Sequence, residues 1–295
     1  MIRWMTISVA FLLGACASGP DLRGLRTPDE PLHAYLRAVP FHAQTVAPGG
    51  AESLAMALQA GGAHVSPDAL GAATETEMLA TPHRHGFVSY PAGGSLTALL
   101  LEIDAGHPVI VRRTRPDRAF VVVVGYDLER NELIAHLPAK RAARISIERF
   151  DRDWERSDRW AMVTLPPDTV PAAVSPRTAL SAIHDFERVV GEVDAMPAWV
   201  AATEAWPEQA VAWFARANAH AVRRELSEAR DAYLAAVALA PGLEPAWLEL
   251  GLLYSELGER GNALAALQAA MMIGGPWQSE AKAAFDEVAA HSPLI

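Results

Sequence analysis

Reactive side chains are scarce in this chain, and their spacing narrows the chemistry open to them. Cys16 is the one cysteine among 295 residues, and it closes the run Leu13-Gly14-Ala15-Cys16 behind an apolar stretch from Trp4 to Leu13, with Arg3 ahead of it. One positive charge, an apolar stretch too short for a bilayer and small residues before a cysteine make secretory-signal architecture rather than a membrane span. A thiol placed there serves attachment, which leaves none for nucleophilic catalysis and none for an internal disulfide. The other candidates are imidazoles and hydroxyls. His83-Arg84-His85 chelates a metal only if it lies on a strand; it follows a helix-like apolar stretch and precedes Gly86, so a solvated helix end is the expected setting. His42 stands beside Gln44, and Ser53 lies one helical turn beyond Gly49. No Gly-rich phosphate loop and no HExxH pattern occurs, so neither nucleotide nor zinc chemistry is expected, and no cofactor.

Composition bounds the partners. With 25 Lys and Arg against 35 Asp and Glu, the formal charge of −10 argues against nucleic acid and anionic lipid headgroups. A chain of this length, 51% hydrophobic, suits two modest cores. Pro166-Pro167, Pro171 and Pro176 mark a stiff linker at 169–175 between a first domain, 31–168, and a second, 176–295.

The first domain reads as α+β. Val39-Pro40-Phe41 has the look of a short opening strand, followed by a helix over Ala51 to Gln59 and a second over Leu96 to Ile103. The stretches His107 to Val111, Phe120 to Tyr126, Leu133 to Leu137, Ala143 to Ile147 and Trp160 to Leu165 are short, β-rich and separated by charged turns. Helices first and an antiparallel sheet afterwards is the expected order.

Two resemblances attach to this half. Leu13, Gly14, Ala15 and Cys16 resemble the lipobox of bacterial lipoproteins. That implies a signal peptide at 1–15, a lipidated tether at 16–30, and acyl chains on Cys16, each methylene contributing about 0.8 kcal/mol of membrane affinity. Ala17, rather than the Asp that retains many such lipoproteins at the inner membrane, implies the outer membrane, facing the periplasm. The segment Val39-Pro40-Phe41-His42-Ala43-Gln44-Thr45, with Gly50 and Leu54-Ala55-Met56 after it, is similar to the opening of cysteine peptidase family 39, the papain-like bacteriocin-leader peptidases and their lipoprotein relatives. Phe120 to Asp127 resembles that family's His-Tyr-Val-Val-Val-Gly-Tyr-Asp strand, and Trp160 to Val163 its closing strand.

The family's functional positions then fall on inert residues. The nucleophile position is Gly49, the general-base position is Ala119, and the third polar position falls near His136-Leu137-Pro138, with neither Asn nor Asp; Gln44 keeps the oxyanion donor. Papain-type catalysis needs a thiolate at a helix N-terminus and an imidazole beside it. Glycine offers neither sulfur nor oxygen, so the resemblance implies a peptidase-like domain without peptidase chemistry. The alternative is an active hydrolase with a relocated nucleophile, for which Ser53 is the candidate.

From residue 176 the β-branched runs stop and residue types recur every 34 positions: Trp213 and Trp247, Ala229 and Ala263, Ala236 and Ala270, Tyr233 and Leu267. One period beyond Trp199, Ala202 and Pro207 stand Tyr233, Ala236 and Pro241. With Leu250-Gly251 and Tyr254, the pattern resembles the tetratricopeptide repeat, over units at 176–209, 210–243 and 244–277, with Ser279 to His291 as a capping helix. The resemblance implies helical hairpins and a groove lined by the first helix of each unit, here Phe214, Asn218, Leu248, Leu252 and Ser255, that binds a peptide or protein.

Overall fold

The computed structural model describes residues 30–44, 50–71, 74–114 and 119–290. An antiparallel sheet region comes first and a helical repeat region follows. The first region runs β1 (His33–Tyr35), α1 (Gly50–Ala60), α2 (Pro67–Leu70), α3 (Glu75–Ala80), a 3₁₀ turn over Pro82–His85, β2 (Val88–Pro91) and α4 (Leu96–Asp104). It continues with β3 (Val109–Arg112), β4 (Phe120–Asp127), β5 (Glu132–Leu137), β6 (Lys140–Ser146), α5 (Ile147–Glu155) and β7 (Ala161–Leu165). The strands lie in the order β2-β7-β3-β4-β5-β6, and β1 pairs with the C-terminal half of β4.

β4 is the spine of this sheet, and its sequence explains why. A near-continuous run of valines, buried at every position, suits a strand covered on both faces. Phe120, Val122 and Val124 face the core made by α1, α2 and α3. Val121 and Val123 face α4 and α5, whose Leu99, Ile103, Phe150 and Trp154 fill the other side. Gly125 is where β1 crosses close: a Cβ there would lie 2.4 Å from the Ala34 carbonyl oxygen.

Two expectations need correcting. Val39-Pro40-Phe41 is irregular chain, since Pro40 has no N–H to give a ladder; the first strand among the described residues is the earlier His33–Tyr35. Ile147 does not end a strand but opens α5, whose Ile147, Phe150 and Trp154 recur at helical spacing and are all buried.

The helical part comprises α6 (Pro176–Val190), α7 (Glu192–Ala205), α8 (Ala210–Val222), α9 (Leu226–Leu239), α10 (Glu244–Glu256), α11 (Arg260–Ile273) and α12 (Gln278–Ala290). Three hairpins, α6/α7, α8/α9 and α10/α11, are followed by α12. The period recurs in the bonds as well as in the letters. Trp213 donates its indole N–H to the Pro207 carbonyl at 2.8 Å, and Trp247 does the same to Pro241 at 2.9 Å. Gly251 lets α10 and α11 close up, because a Cβ there would lie 2.6 Å from Leu267. Gly258, in the α10/α11 turn, has φ +74°, and Arg224, one period earlier, has φ +63°. Among the described residues no helix is long and apolar enough to cross a membrane.

The Pro-rich segment before α6 is fastened to the first region. The N–H groups of Ala172 and Ala173 donate to the carboxylate of Glu102 on α4, Val174 is buried, and α6 packs on β2. One buried cluster runs from Val88 and Tyr90 through Leu180, Ile183 and Phe186 to Trp199.

Candidate functional site

In the sheet region the structure brings Gln44 and Ser53 to the first residue of β4. Gln44 donates its amide N–H to the Phe120 carbonyl at 2.7 Å, and Ser53, on the first turn of α1 and fully buried, donates its hydroxyl to the same oxygen at 3.1 Å. The two side chains also touch, Gln44 Nε2 lying 3.3 Å from Ser53 Oγ. The Phe120 ring meets Trp160 edge-on at 5.2 Å. Both donors are thus aimed at a protein carbonyl. Ala119 sits with Val121 and Val123 in the core on the opposite face, because successive residues of a strand point to opposite sides; the residue of β4 that meets α1 here is Phe120. Cys16 and Gly49 lie outside the described residues.

The nearby imidazoles are occupied. His42 Nε2 pairs with Gln59 Oε1 at 2.9 Å. His136 on β5 is buried on the α1 side, its Nδ1 accepting from the Ala142 N–H at 3.1 Å and its Nε2 lying 3.4 Å from the Val39 carbonyl; burial lowers its pKa. The His83-Arg84-His85 cluster is not a solvated helix end throughout. Residues two apart on a 3₁₀ turn point about 240° from one another, so His83 is buried, edge-on to Phe186, while His85 is exposed. Burial lowers the pKa of His83. Among the described residues no three His, Cys, Asp or Glu side chains converge as a metal set.

The helical part holds a concave pocket of about 530 Å³ between α6 and α8, floored by Trp199 of α7. Leu180, His184 and Glu187 line it from α6, and Phe214 and Asn218 from α8. Phe214 tilts against Tyr233 with ring centroids 6.0 Å apart, and the Tyr233 hydroxyl donates to Asn218 Oδ1 at 2.7 Å. Burial pushes the Tyr233 phenol up. Glu187 accepts the Trp199 indole N–H, and burial raises its carboxyl pKa above the ordinary value.

Of the five groove candidates, the structure brings Phe214 and Asn218 into this pocket. Leu248 is a correction: it is 5% exposed and packs with Leu267, Ala270 and Ala281, because α12 covers that side of α10. Leu252 and Ser255 are exposed on α10, away from the cavity walls. Three lining residues were missed, although the period points to them. Leu180, His184 and Glu187 stand two repeats before Leu248, Leu252 and Ser255. The first unit lacks the motif's signature letters, which hid them.

No protein-family model matches the chain, and no curated protein does. Among solved structures, the helical part is similar to the TPR2B domain of yeast Sti1 in a complex with pHsp70: 19% identity, 40% of this chain and 98% of that one, TM-score 0.37. It is also similar to the first TPR of Spaghetti (RPAP3) bound to the HSP90 peptide SRMEEVD, with 18% identity, 40% and 94% coverage and TM-score 0.36. A third similar structure is the Arabidopsis OM64 TPR domain, with 18% identity, 40% and 96% coverage and TM-score 0.37.

Proposed function

We propose that this protein is a membrane-anchored, non-catalytic, peptidase-like scaffold that holds a peptide, or an exposed segment of a partner protein, in the groove between α6 and α8. The observation that carries the reading is the pocket. Equivalent positions of two successive repeats, Leu180 with Phe214 and His184 with Asn218, converge on one cavity whose walls are mostly apolar. A cavity of that size takes one or two large side chains. Asn218, with its Oδ1 engaged by Tyr233, has amide N–H groups to offer a main-chain carbonyl.

The remaining parts of the proposal rest on the residues themselves. Anchoring at the outer membrane, on its periplasmic side, rests on Leu13 to Cys16 and Ala17. Papain-like ancestry rests on the Pro-Phe, Gln44 and Phe120-to-Asp127 segments, and it agrees with α1 lying across β4 with Gln44 at its N-terminal end. Catalytic silence rests on Gly49 and on the engagement of Gln44 with the Phe120 carbonyl.

The test uses peptides selected from a random display library on the immobilised full chain. Val211 lies at the lip of the pocket and is 53% exposed, so Val211→Trp fills the groove without entering the core. Peptides whose binding Val211→Trp removes support the reading; selected peptides indifferent to it, or none selected, overturn it. Membrane fractionation of Cys16→Ser tests the anchor, with release into the soluble fraction expected.

A further inference from the structure

We propose that the peptide held between α6 and α8 carries a Lys or Arg directly beside a large apolar residue, with the cation lying at the Glu187 end of the groove. The inference rests on the groove reading above and deepens it by naming the chemistry of the ligand. The apolar half of the recognition is the floor: Leu180, Trp199, Phe214 and Ala215 surround a cavity wide enough for an aromatic or long aliphatic side chain.

The charged half comes from Glu187 in the cavity wall. Glu187 lines it from the last turns of α6, half-buried, its carboxylate fixed by the Trp199 indole. Burial is the largest cause of the raised Glu187 carboxyl, the Trp199 hydrogen bond and the His184 charge oppose it, and the charge of Glu192, at the start of α7, adds to it; Glu249, on α10, is raised by burial and then by Glu192. The charges of Glu249 and Glu192 also reach Tyr233, whose hydroxyl holds Asn218 in the cavity wall.

Among the described residues no Lys or Arg lies within ion-pair distance of Glu187, Glu192 or Glu249; Glu187 has His184 at 3.7 Å, an imidazole that is 63% exposed. The one arginine of the pocket, Arg177, stands at the opposite end of α6, ten residues or about 15 Å from Glu187. The groove is therefore acidic at the Glu187 end, and a cation arriving there meets a carboxylate already stripped of part of its water. An acidic peptide meets repulsion at the same place. Apolar side chain and cation must be neighbours, because the Trp199 that floors the pocket is the residue bonded to Glu187.

The experiment reads the sequences of the display-selected peptides and then their affinities, by fluorescence anisotropy, for the full chain and its variants. Enrichment of an aromatic or Leu next to Lys or Arg is expected. Glu187→Gln is expected to weaken those peptides by about tenfold, with a smaller loss from added salt in the variant than in the wild type. Replacing the selected Lys or Arg by Gln should have the same effect on the wild type and little further effect on Glu187→Gln.

If Val211→Trp or Phe214→Ala abolishes binding but the peptides are acidic or neutral and indifferent to Glu187→Gln, the charge assignment is overturned and the groove reading stands. If no selected peptide responds to Val211→Trp or Phe214→Ala, both fall. A thermal melt of each variant checks that the helices remain folded.

Discussion

The side-chain amide of Gln44 and the carbonyl oxygen of Phe120 are joined at 2.7 Å, which ties the segment ahead of α1 to the start of the central strand. Ser53 donates to the same oxygen, so both side chains are engaged by main chain. The pair therefore acts structurally. Gln44→Ala and Ser53→Ala should each lower unfolding free energy by about 1 kcal/mol, read by urea titration. A serine-directed electrophile should leave Ser53 unlabelled. A stoichiometric adduct accompanied by hydrolysis would restore the reading of an active hydrolase.

Glu102 on α4 is fully buried, accepts from Ala172 and Ala173, and pairs with His107 Nδ1 at 2.8 Å. It is the fastening between the sheet and the segment leading to α6. Glu102→Ala leaves three donors without their acceptor, and stability should fall by about 3 kcal/mol. Faster amide exchange at Ala172 and Ala173, measured by NMR, is the expected local sign.

Leu248 and Leu252 are one helical turn apart on α10, yet they are 5% and 42% exposed. Leu248→Ala should cost about 2–4 kcal/mol by opening a cavity between α10, α11 and α12. Leu252→Ala should stay within about 0.5 kcal/mol. Equal losses would mean that α12 does not dock as described.

Gly258 and Arg224 occupy the same turn in successive repeats with positive φ, and nothing lies within 4 Å of a Cβ built on Gly258. Gly258→Ala is therefore a backbone effect alone and should lower stability by about 1 kcal/mol. Arg224→Gly relieves the same strain but gives up the exposed ion pair with Glu256, so a smaller gain of about 0.5 kcal/mol is expected. Thermal melts of the two variants compare them directly.

Asp127, at the end of β4, is held down to about 2 chiefly by the Arg130 guanidinium, with the Arg130 N–H and Arg144 adding to it and burial opposing. A carboxyl lowered in the folded state contributes stability above its unfolded pKa and loses it as the pH falls towards the folded one. Wild-type stability should therefore drop between about pH 4 and pH 2. Asp127→Asn should lack that part of the decline. Urea midpoints at several pH values decide it.

The legible parts of this protein were those whose causes are local. A valine run declares a strand, and a 34-residue period declares hairpins, because the contacts that select Trp213, Ala229 and Tyr233 lie within one repeat or its neighbour. Glu187 and His184 were within reach of the same arithmetic, had the period been carried back into the unit that lacks its signature. The short β1 and the amphipathic α5 were not read, the first because three residues give too little pattern, the second because a β-rich neighbourhood masked its spacing.

Which residue of β4 meets α1 was settled by the tertiary structure, since a one-residue difference along a strand reverses the face, although the eight-residue match of Phe120 to Asp127 with His-Tyr-Val-Val-Val-Gly-Tyr-Asp already sets the motif's His against Phe120 rather than Ala119. So was the fate of Leu248, which is core because α12 folds back over it. The letters determined which side chains the chain has to offer, and with them the absence of a thiol beyond Cys16. Packing between segments far apart in sequence determined which of those side chains meet: Gln44 with Phe120, Glu102 with Ala173, and the two successive repeats whose faces enclose the pocket.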